Sequence, residues 1–274
     1  MASFSNDIIT SRKNPLITRM SKLSDKKYRD ADGIFRIDGI KLYSEAVKSG
    51  LRMKYTFIAQ SRRDKLTQEL ESELASVGGE VIFAADEAFE KLTDEASPQG
   101  IVGIAEKFDL SAEKLPDGAF CSLYLSQIRD PGNLGTVIRT AYAFGVDRVF
   151  VSSDCADIYS PKTVRASMGT VFRQPISEVA DEIVFSELMK KENCMLYAAA
   201  LRRDARKLGS FDIPRRVCFA IGNEGHGLSD SFINSCSGTV FIPMTEGCES
   251  LNAAAAANVL IWEMCRDKLV YQGE

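Results

Sequence analysis

The chain carries one histidine among its 274 residues, and its seven cysteines include no C-x-x-C pair. Cys121, Cys155, Cys194, Cys218, Cys236, Cys248 and Cys265 are scattered and odd in number, which argues against both a disulfide framework and a zinc site. Several lie inside apolar runs such as CSLYL and VCFAI, where a free thiol behaves as a small buried hydrophobe. The opening stretch MASFSNDIITSRKNP lacks the apolar core of a secretory signal. The longest apolar run, Leu251 to Cys265, is interrupted by Asn252, Asn258 and Glu263, and it falls short of the ~20 residues a membrane span needs. No metal and no membrane are expected, and the setting read from these absences is the reducing cytoplasm. Neither G-x-G-x-x-G nor G-x-x-x-x-G-K-[ST] occurs, so an ordinary Rossmann or P-loop nucleotide site is not expected.

What is present describes a globular protein: 45% apolar and 26% charged residues, in a length that suits one large domain or two medium ones. The net charge of -4 argues against indiscriminate nucleic-acid binding but says nothing of local patches. Basic residues outnumber acidic ones two to one over residues 1–54, and the balance reverses over 55–108. A basic segment is therefore hidden in an acidic average.

Along residues 8–107, helical and strand signals alternate. NPLITRMSKLSDKKYRDADG reads as a basic helix and turn, and IFRIDGIKLYSEAVKSG as strand, turn and helix. YTFIA and EVIFAA read as strands on either side of a helical LTQELESELASVG, and SPQGIVGIAEKF closes with another strand. The polar DLSAEKLPDGA then reads as a linker. The division expected is a small α/β domain over 1–108, a linker over 109–119 and a second domain over 120–274. In the second domain CSLYL, DRVFVS, CMLYAAA, VCFAI and TVFI are short continuous apolar runs, the mark of strands buried on both faces. Helical patterns at 133–144, 160–170, 181–191 and 251–268 lie between or after them. Such alternation implies a mainly parallel sheet covered on both faces. Ligands of such sheets bind beyond the carboxyl ends of the strands.

Three loops stand at those ends. After CSLYL, Asp130-Pro131-Gly132-Asn133 makes a turn, and the helix that follows carries Arg139 about two turns in. After VCFAI comes GNEGHGLSD, where Gly222, Gly225 and Gly227 allow tight turns and close approach around Glu224. His226 in that loop reads as a capping or solvent-facing residue rather than a base. After TVFI comes PMTEGCESLNAAAAANVLIWE. Ser250 or Asn252 can cap its alanine helix, a contribution of about 1 kcal/mol. A cap accounts for one of the two polar residues, not both. The helix is apolar nearly all round, which implies burial on several sides.

Taken together, "DPGNLGTVIRTAYAFG", "AIGNEGHGLS" and "IPMTEGCESLNAAAAANVLIWE" resemble the three motifs of the SpoU/TrmH family of RNA ribose 2′-O-methyltransferases, in the SPOUT class. "YSPKTVRASMGTVFRQPI" resembles the family's second-helix region. Residues 8–107, with "ITSRKNPLITRMSKL", "YRDADGIFRIDGIKLYSEA" and "SPQGIVGI", resemble its N-terminal substrate-binding module, similar to the L30e and L7Ae ribosomal-protein folds. The resemblance covers nearly the whole chain.

The resemblance implies an α/β fold in two parts: a small L30e-like domain followed by a SPOUT domain whose mainly parallel sheet closes in a deep trefoil knot. It implies S-adenosyl-L-methionine as cofactor, bound by Ala199, Ala200, Leu201, Gly222, Asn223, Glu224, Gly225, Ile242, Met244, Leu251 and Asn252. It places Asn133, Arg139, Glu224, Ser250 and Asn252 at the reacting centre. Arg139 is the residue the family proposals assign to activating the hydroxyl. A guanidinium stays protonated, with a pKa above about 12, so the role expected of it is to grip phosphate and ribose and to stabilise the developing alkoxide. Asn133 would orient Arg139 or the ribose, and Glu224 would position Arg139 or accept the proton. Ser250 and Asn252 would organise their loop against the ribose and the methionine end.

The partner expected is structured RNA, most readily ribosomal RNA, met by the basic residues Arg12, Lys13, Arg19, Lys22, Lys26, Lys27, Arg29, Lys162 and Arg165. Further basic residues stand at Arg173, Arg202, Arg203, Arg206 and Lys207. A homodimer through the knotted domain is also implied, with the alanine helix packing between subunits. The alternatives are a transfer-RNA methylase, a resistance methylase of large-subunit rRNA, and a catalytically silent RNA-binding or ribosome-assembly protein. Retention of Asn133, Arg139, Glu224, Ser250 and Asn252 counts against the silent one.

Overall fold

The computed structural model describes residues 3–76, 78–110, 114–223, 225–247 and 250–268. Its internal contacts fall into two units. One runs to Phe108 and takes in Asp157–Phe172; the other comprises Asp109–Ala156 and the chain from Arg173 onward. Segment 157–172, expected by continuity to belong to the second domain, thus clusters with the first.

The first unit holds β1 (Ser3–Ile9), α1 (Pro15–Ser21), α2 (Lys26–Asp32), β2 (Ile34–Asp38), α3 (Ile40–Lys48), β3 (Met53–Ala59), α4 (Gln68–Ser76), β4 (Glu80–Ala84), α5 (Asp86–Glu90) and β5 (Ile101–Glu106). Its five strands form a mixed sheet in the order β1-β4-β3-β5-β2. β3 runs parallel to β4 and antiparallel to β5, which is antiparallel to β2. The sequence did not announce β1, whose centre, Ser5-Asn6-Asp7, reads as turn chemistry. It is an edge strand paired only with β4, and its register shifts between Phe4 and Ile8.

Helix formation here follows local chemistry. The Asn14 side chain caps α1 by accepting from the Leu16 and Ile17 amides, with Pro15 at the first helical position. Ile17, Met20 and Leu23 face a core completed by Ile34, Phe57, Ile82, Phe89 and Ile104. The returning segment packs aromatic against aromatic. Tyr159 stands 5.1 Å from Phe35 and 4.9 Å from Phe108 between ring centroids, and its hydroxyl donates to the Phe108 carbonyl at 2.5 Å.

The second unit begins with β6 (Phe120–Leu125), α6 (Pro131–Ala143) and β7 (Arg148–Ser152). The excursion into the first unit follows, with its one α-helix, α7 (Pro161–Ala166). That helix is shorter than the 160–170 pattern suggests, because Met168 and Gly169 take positive φ and end it. A Cβ on Gly169 would come within 2.9 Å of Glu45 Cβ, so the bend needs glycine for space as well as for φ. The chain continues with β8 (Ile176–Val179), α8 (Glu182–Lys191), β9 (Met195–Ala199), β10 (Arg206–Lys207), β11 (Arg216–Ile221), α9 (Asp230–Ser235), β12 (Gly238–Phe241) and α10 (Ala253–Cys265).

These seven strands make one sheet in the order β10-β12-β9-β11-β6-β7-β8, with every pairing parallel. The five apolar runs read from the sequence are its five interior members. The two edges, β8 and β10, are short and were not signalled. From β6 the chain moves outward through β7 and β8, then returns on the other side with β9, and β11 fills the gap between β9 and β6. That reversal is a topological switch point, where ligands of open α/β sheets bind. α10 packs on α6, and α8 on α9. Tyr124, Phe150, Phe185, Met189, Cys218 and Phe232 are among the core residues that fill the sheet's α8 and α9 side.

Candidate active site

Register brings the carboxyl ends of four strands level. Leu125 pairs with Ile221, Ala220 with Ala198, and Ala199 with Val240. The loops that leave these ends are the three motif loops and the one following Ala199.

The first loop is set by the turn after β6. Gln127 takes φ 57°, a left-handed conformation that bulky residues rarely adopt. Its amide donates to Ser152 Oγ at 2.9 Å, and its carbonyl accepts from Asn223 Nδ2 at 3.0 Å. Asp130 then caps α6 by accepting from the Asn133 amide at 2.7 Å, with Pro131 at the first helical position. Further along α6, Arg139 is exposed, and among the described residues it makes no hydrogen bond or ion pair.

The second loop folds back on itself. Asn223 Oδ1 accepts from the Gly225 amide at 2.8 Å, and the Asn223 carbonyl accepts from the Gly227 amide at 2.8 Å. Gly222 lies so near the returning strand that an added Cβ would fall 2.2 Å from Gly227 C and 2.4 Å from Leu228 N. Only glycine closes this loop. His226 is solvent-exposed, and Ser229 is the residue that caps the following helix, α9. Glu224 lies outside the described residues.

In the third loop, the Asn252 side chain does two things. Its Oδ1 accepts from the Ala254 and Ala255 amides at 2.9 and 3.3 Å and so caps α10. Its Nδ2 donates to Asn133 Oδ1 at 3.2 Å. One side chain therefore caps the alanine helix and joins the third loop to the first. Ser250 does not cap the helix; it lines a cavity.

That cavity, of about 150 Å³, is bordered by Ala199, Ala200, Leu201, Ile242, Met244, Ser250 and Leu251, together with Val240, Phe241 and Ala256. Six of the eleven residues expected to hold cofactor line it. Gly222, Asn223, Gly225 and Asn252 do not; they belong to the loops at the same sheet edge. Phe241, Ala256 and Gln127 were missed by sequence reasoning. Ala256 had a signal, because it lies one helical turn beyond Asn252. The cavity is smaller than the ~300 Å³ at which whole-ligand pockets begin. Its size and apolar wall suit one flat ring.

The basic residues divide. In the first unit, Arg12, Lys13, Lys22, Lys26, Lys27 and Lys162 are exposed, and Lys13, Arg19, Lys22 and Tyr28 border a groove of about 420 Å³. Arg19 is exposed yet pairs with Asp32 at 2.6 Å, and Arg165 pairs with Glu95. Arg29 leaves the set of candidate RNA contacts. It is 2% exposed, its Nη2 lies 2.6 Å from Asp157 Oδ2, and its Nη1 donates to the Leu23 and Ser24 carbonyls at 2.6 and 2.7 Å. Buried and paired inside the unit, it does not present its guanidinium to a phosphate at the surface. Arg202, expected in a second-unit cluster, pairs with Asp230.

The described cysteines are free, and burial raises the thiol pKa of Cys194 and Cys236 to about 12, which keeps both protonated. Cys248 lies outside the described residues. Among the described residues no three His, Cys, Asp or Glu side chains gather as a metal site requires, and no helix is long and apolar enough to cross a membrane.

Comparison with known proteins agrees with this layout. Residues 121–262 match the SpoU rRNA Methylase family, and residues 14–103 match the MRM3-like substrate binding domain. The chain is 32% identical over 258 residues to the 23S rRNA (guanosine(2553)-2′-O)-methyltransferase RlmP of Bacillus subtilis (strain 168), covering 93% of this chain and 98% of that protein. It is 28% identical over 269 residues to the 23S rRNA (uridine(2479)-2′-O)-methyltransferase of Streptomyces viridochromogenes, covering 95% and 92%. The crystal structure of the SpoU methyltransferase AviRb from Streptomyces viridochromogenes, in complex with the cofactor AdoMet, superposes with a TM-score of 0.84 at 27% identity, over 96% of this chain and 100% of that one. The AdoMet-bound rRNA methyltransferase from Sinorhizobium meliloti gives a TM-score of 0.83 at 27% identity, over 98% and 99%. With its motif loops at the switch point of a parallel sheet and its family match spanning that unit, the chain belongs to the SpoU rRNA methylase family.

Proposed function

We propose that this protein methylates a ribose 2′-hydroxyl of ribosomal RNA, with S-adenosyl-L-methionine as methyl donor. The observation that carries the reading is the Asn252–Asn133 hydrogen bond. It fastens the loop bordering the apolar cavity to the helix that bears the uncommitted Arg139. The relatives' names favour ribosomal over transfer RNA.

Bound in the cavity and along the glycine loop, the cofactor supplies an activated sulfonium methyl, so alignment is the main demand on the protein. Ala199, Ala200, Ile242, Met244 and Leu251 offer apolar walls for the adenine, and the 222–229 backbone offers polar groups for the rest. Arg139 grips the RNA phosphate beside the target ribose and stabilises the oxygen as its proton leaves. Asn133 is held in orientation by Asn252, and Ser250 borders the cavity. Glu224 would position Arg139 or take the proton.

The first unit is the RNA grip, through Arg12, Lys13, Arg19, Lys22, Lys26, Lys27, Lys162 and Arg165. Apolar side chains left exposed near the α6–α10 pair, Trp262 at 52% and Tyr142 at 41%, support a homodimer formed on these helices. A trefoil knot in the second unit and a cytoplasmic setting complete the reading. The test is calorimetric titration of the purified protein with S-adenosylmethionine, paired with ribose-methylation mapping of RNA from cells with and without the protein. One stoichiometric site and one lost 2′-O-methyl in ribosomal RNA are expected; no cofactor binding would remove the reading.

A further inference from the structure

The 222–229 loop is anchored at both ends, and the second anchor comes from outside the three motif loops. At its start, Asn223 holds the Gln127 carbonyl. At its end, Ser229 Oγ donates to Glu182 Oε2 at 3.3 Å. The other oxygen of the same carboxylate, Glu182 Oε1, accepts from Tyr124 Oη at 2.9 Å and from Ser126 Oγ at 2.7 Å. Tyr124 and Ser126 are 0% and 3% exposed, and Ser126 immediately precedes Gln127. One carboxylate therefore ties together the end of β6, the turn that receives Asn223, and the far end of the glycine loop.

Glu182 is not required where it stands for helix capping. Asp181 caps α8, accepting from the Ile183 and Val184 amides at 2.8 and 3.0 Å. The first-turn position does favour a negative charge there. Burial and the facing carboxylate raise the Tyr124 phenol pKa, which keeps it a hydroxyl donor. Hydrogen bonds from hydroxyls to an ionised carboxylate are the strong kind, and the buried hydroxyls have no water to turn to if the acceptor is lost.

We infer that Glu182 is a positioning residue of the methyl-transfer site, holding the 222–229 loop and the turn after β6 in the geometry that binds S-adenosylmethionine; the inference rests on the methyltransferase reading of that loop. Glutamine at this position keeps an acceptor for Tyr124 and Ser126 and offers an N–H to Ser229 Oγ. Alanine keeps none of the three bonds.

The test compares cofactor affinity by calorimetry, steady-state KM and kcat, and Tm for Glu182→Ala, Glu182→Gln and Ser229→Ala. Ile233→Val, a core change in α9, serves as a destabilised control. Glu182→Ala should raise Kd and KM for S-adenosylmethionine at least tenfold, with kcat at saturating cofactor within threefold. Glu182→Gln should restore both to within threefold of the wild type, and Ile233→Val should lower Tm without moving Kd. Ser229→Ala removes the loop-end bond to the carboxylate together with the cap of α9. It should raise Kd several-fold beyond the Ile233→Val control, which accounts for destabilisation of α9, and it decides the matter if Glu182→Ala does not fold. Wild-type affinity in Glu182→Ala or Ser229→Ala, or an equal rise in the Ile233→Val control, would overturn the inference. A wild-type protein that binds no cofactor would overturn the methyltransferase reading instead.

Discussion

Two arginines mark the difference between the units. Arg29 in the first is buried and bonded to Asp157 and to two carbonyls. Arg139 in the second is exposed, with no partner among the described residues. A guanidinium cannot shed its charge, so where it is buried its partners are fixed by the fold, and where it is unpartnered it is open to an anion from outside. Arg36 extends the first pattern: 1% exposed, it is spent on Asp38, Asp94 and the Leu92 carbonyl. The ties from one motif loop of the second unit to another are instead neutral amides, Asn223 and Asn252, whose loss leaves no stranded charge.

The sharpest break of that contrast is Arg29→Ala. Removing one partner of a buried pair leaves Asp157 uncompensated and costs about 3–5 kcal/mol. Urea denaturation should show a midpoint lowered to match, while cofactor affinity of the folded protein stays at the wild-type value. A loss under about 1 kcal/mol, the surface ion-pair range, would place Arg29 with the exposed basic residues after all.

Arg139→Ala should do the opposite. Its expected cost is about 10²–10³ in turnover, the range for removing one donor to a developing oxyanion, with Tm and cofactor affinity unchanged. Single-turnover methylation of a ribosomal RNA fragment measures it, and unaltered turnover would take Arg139 out of the mechanism.

Gly222→Ala comes next. Its added methyl meets backbone atoms 2.2–2.5 Å away, which a rotamer change cannot relieve, so the loop must open. Cofactor Kd should rise about tenfold, equivalent to ~1.4 kcal/mol. Titration calorimetry reads this directly, and an unchanged Kd would separate the loop from the cofactor site.

These outcomes bear on what could be read in advance. The motif loops were legible because capping and tight turns are local chemistry. Asp130-Pro131-Gly132-Asn133 and the start of α10 carry their signals within four residues. The sheet interior was legible because short continuous apolar runs, alternating with helical patterns, are the mark of strands buried on both faces. The role of Arg29 was not, because its partner Asp157 lies 128 residues along the chain and nothing local distinguishes it from Lys26 or Lys27. Membership of segment 157–172 was hidden for the same reason, since its aromatic contacts with Phe35 and Phe108 are long-range. Gln127 escaped notice because its positive φ is imposed by tertiary bonds to Ser152 and Asn223, against its own propensity. Glu182 lies at a helix start where an acidic residue is unremarkable; only the three converging hydroxyls single it out.

The smallest expected effect concerns Asn252, where both kinds of chemistry meet in one side chain. As a cap it contributes about 1 kcal/mol, and as a donor to Asn133 it links two loops. Aspartate caps as well as asparagine but has no N–H to give. Asn252→Asp should therefore keep the wild-type denaturation midpoint while turnover falls several-fold, and Asn252→Ala should show that fall together with a loss of about 1 kcal/mol in stability. If the aspartate variant keeps full turnover, the bond to Asn133 has no share in the reaction and Asn252 is a helix cap alone. If it loses both turnover and stability, the carboxylate's charge beside Asn133 Oδ1 is disturbing the loop, and substitution of Asn133 by Ser should relieve it by replacing that acceptor with a hydroxyl that can donate.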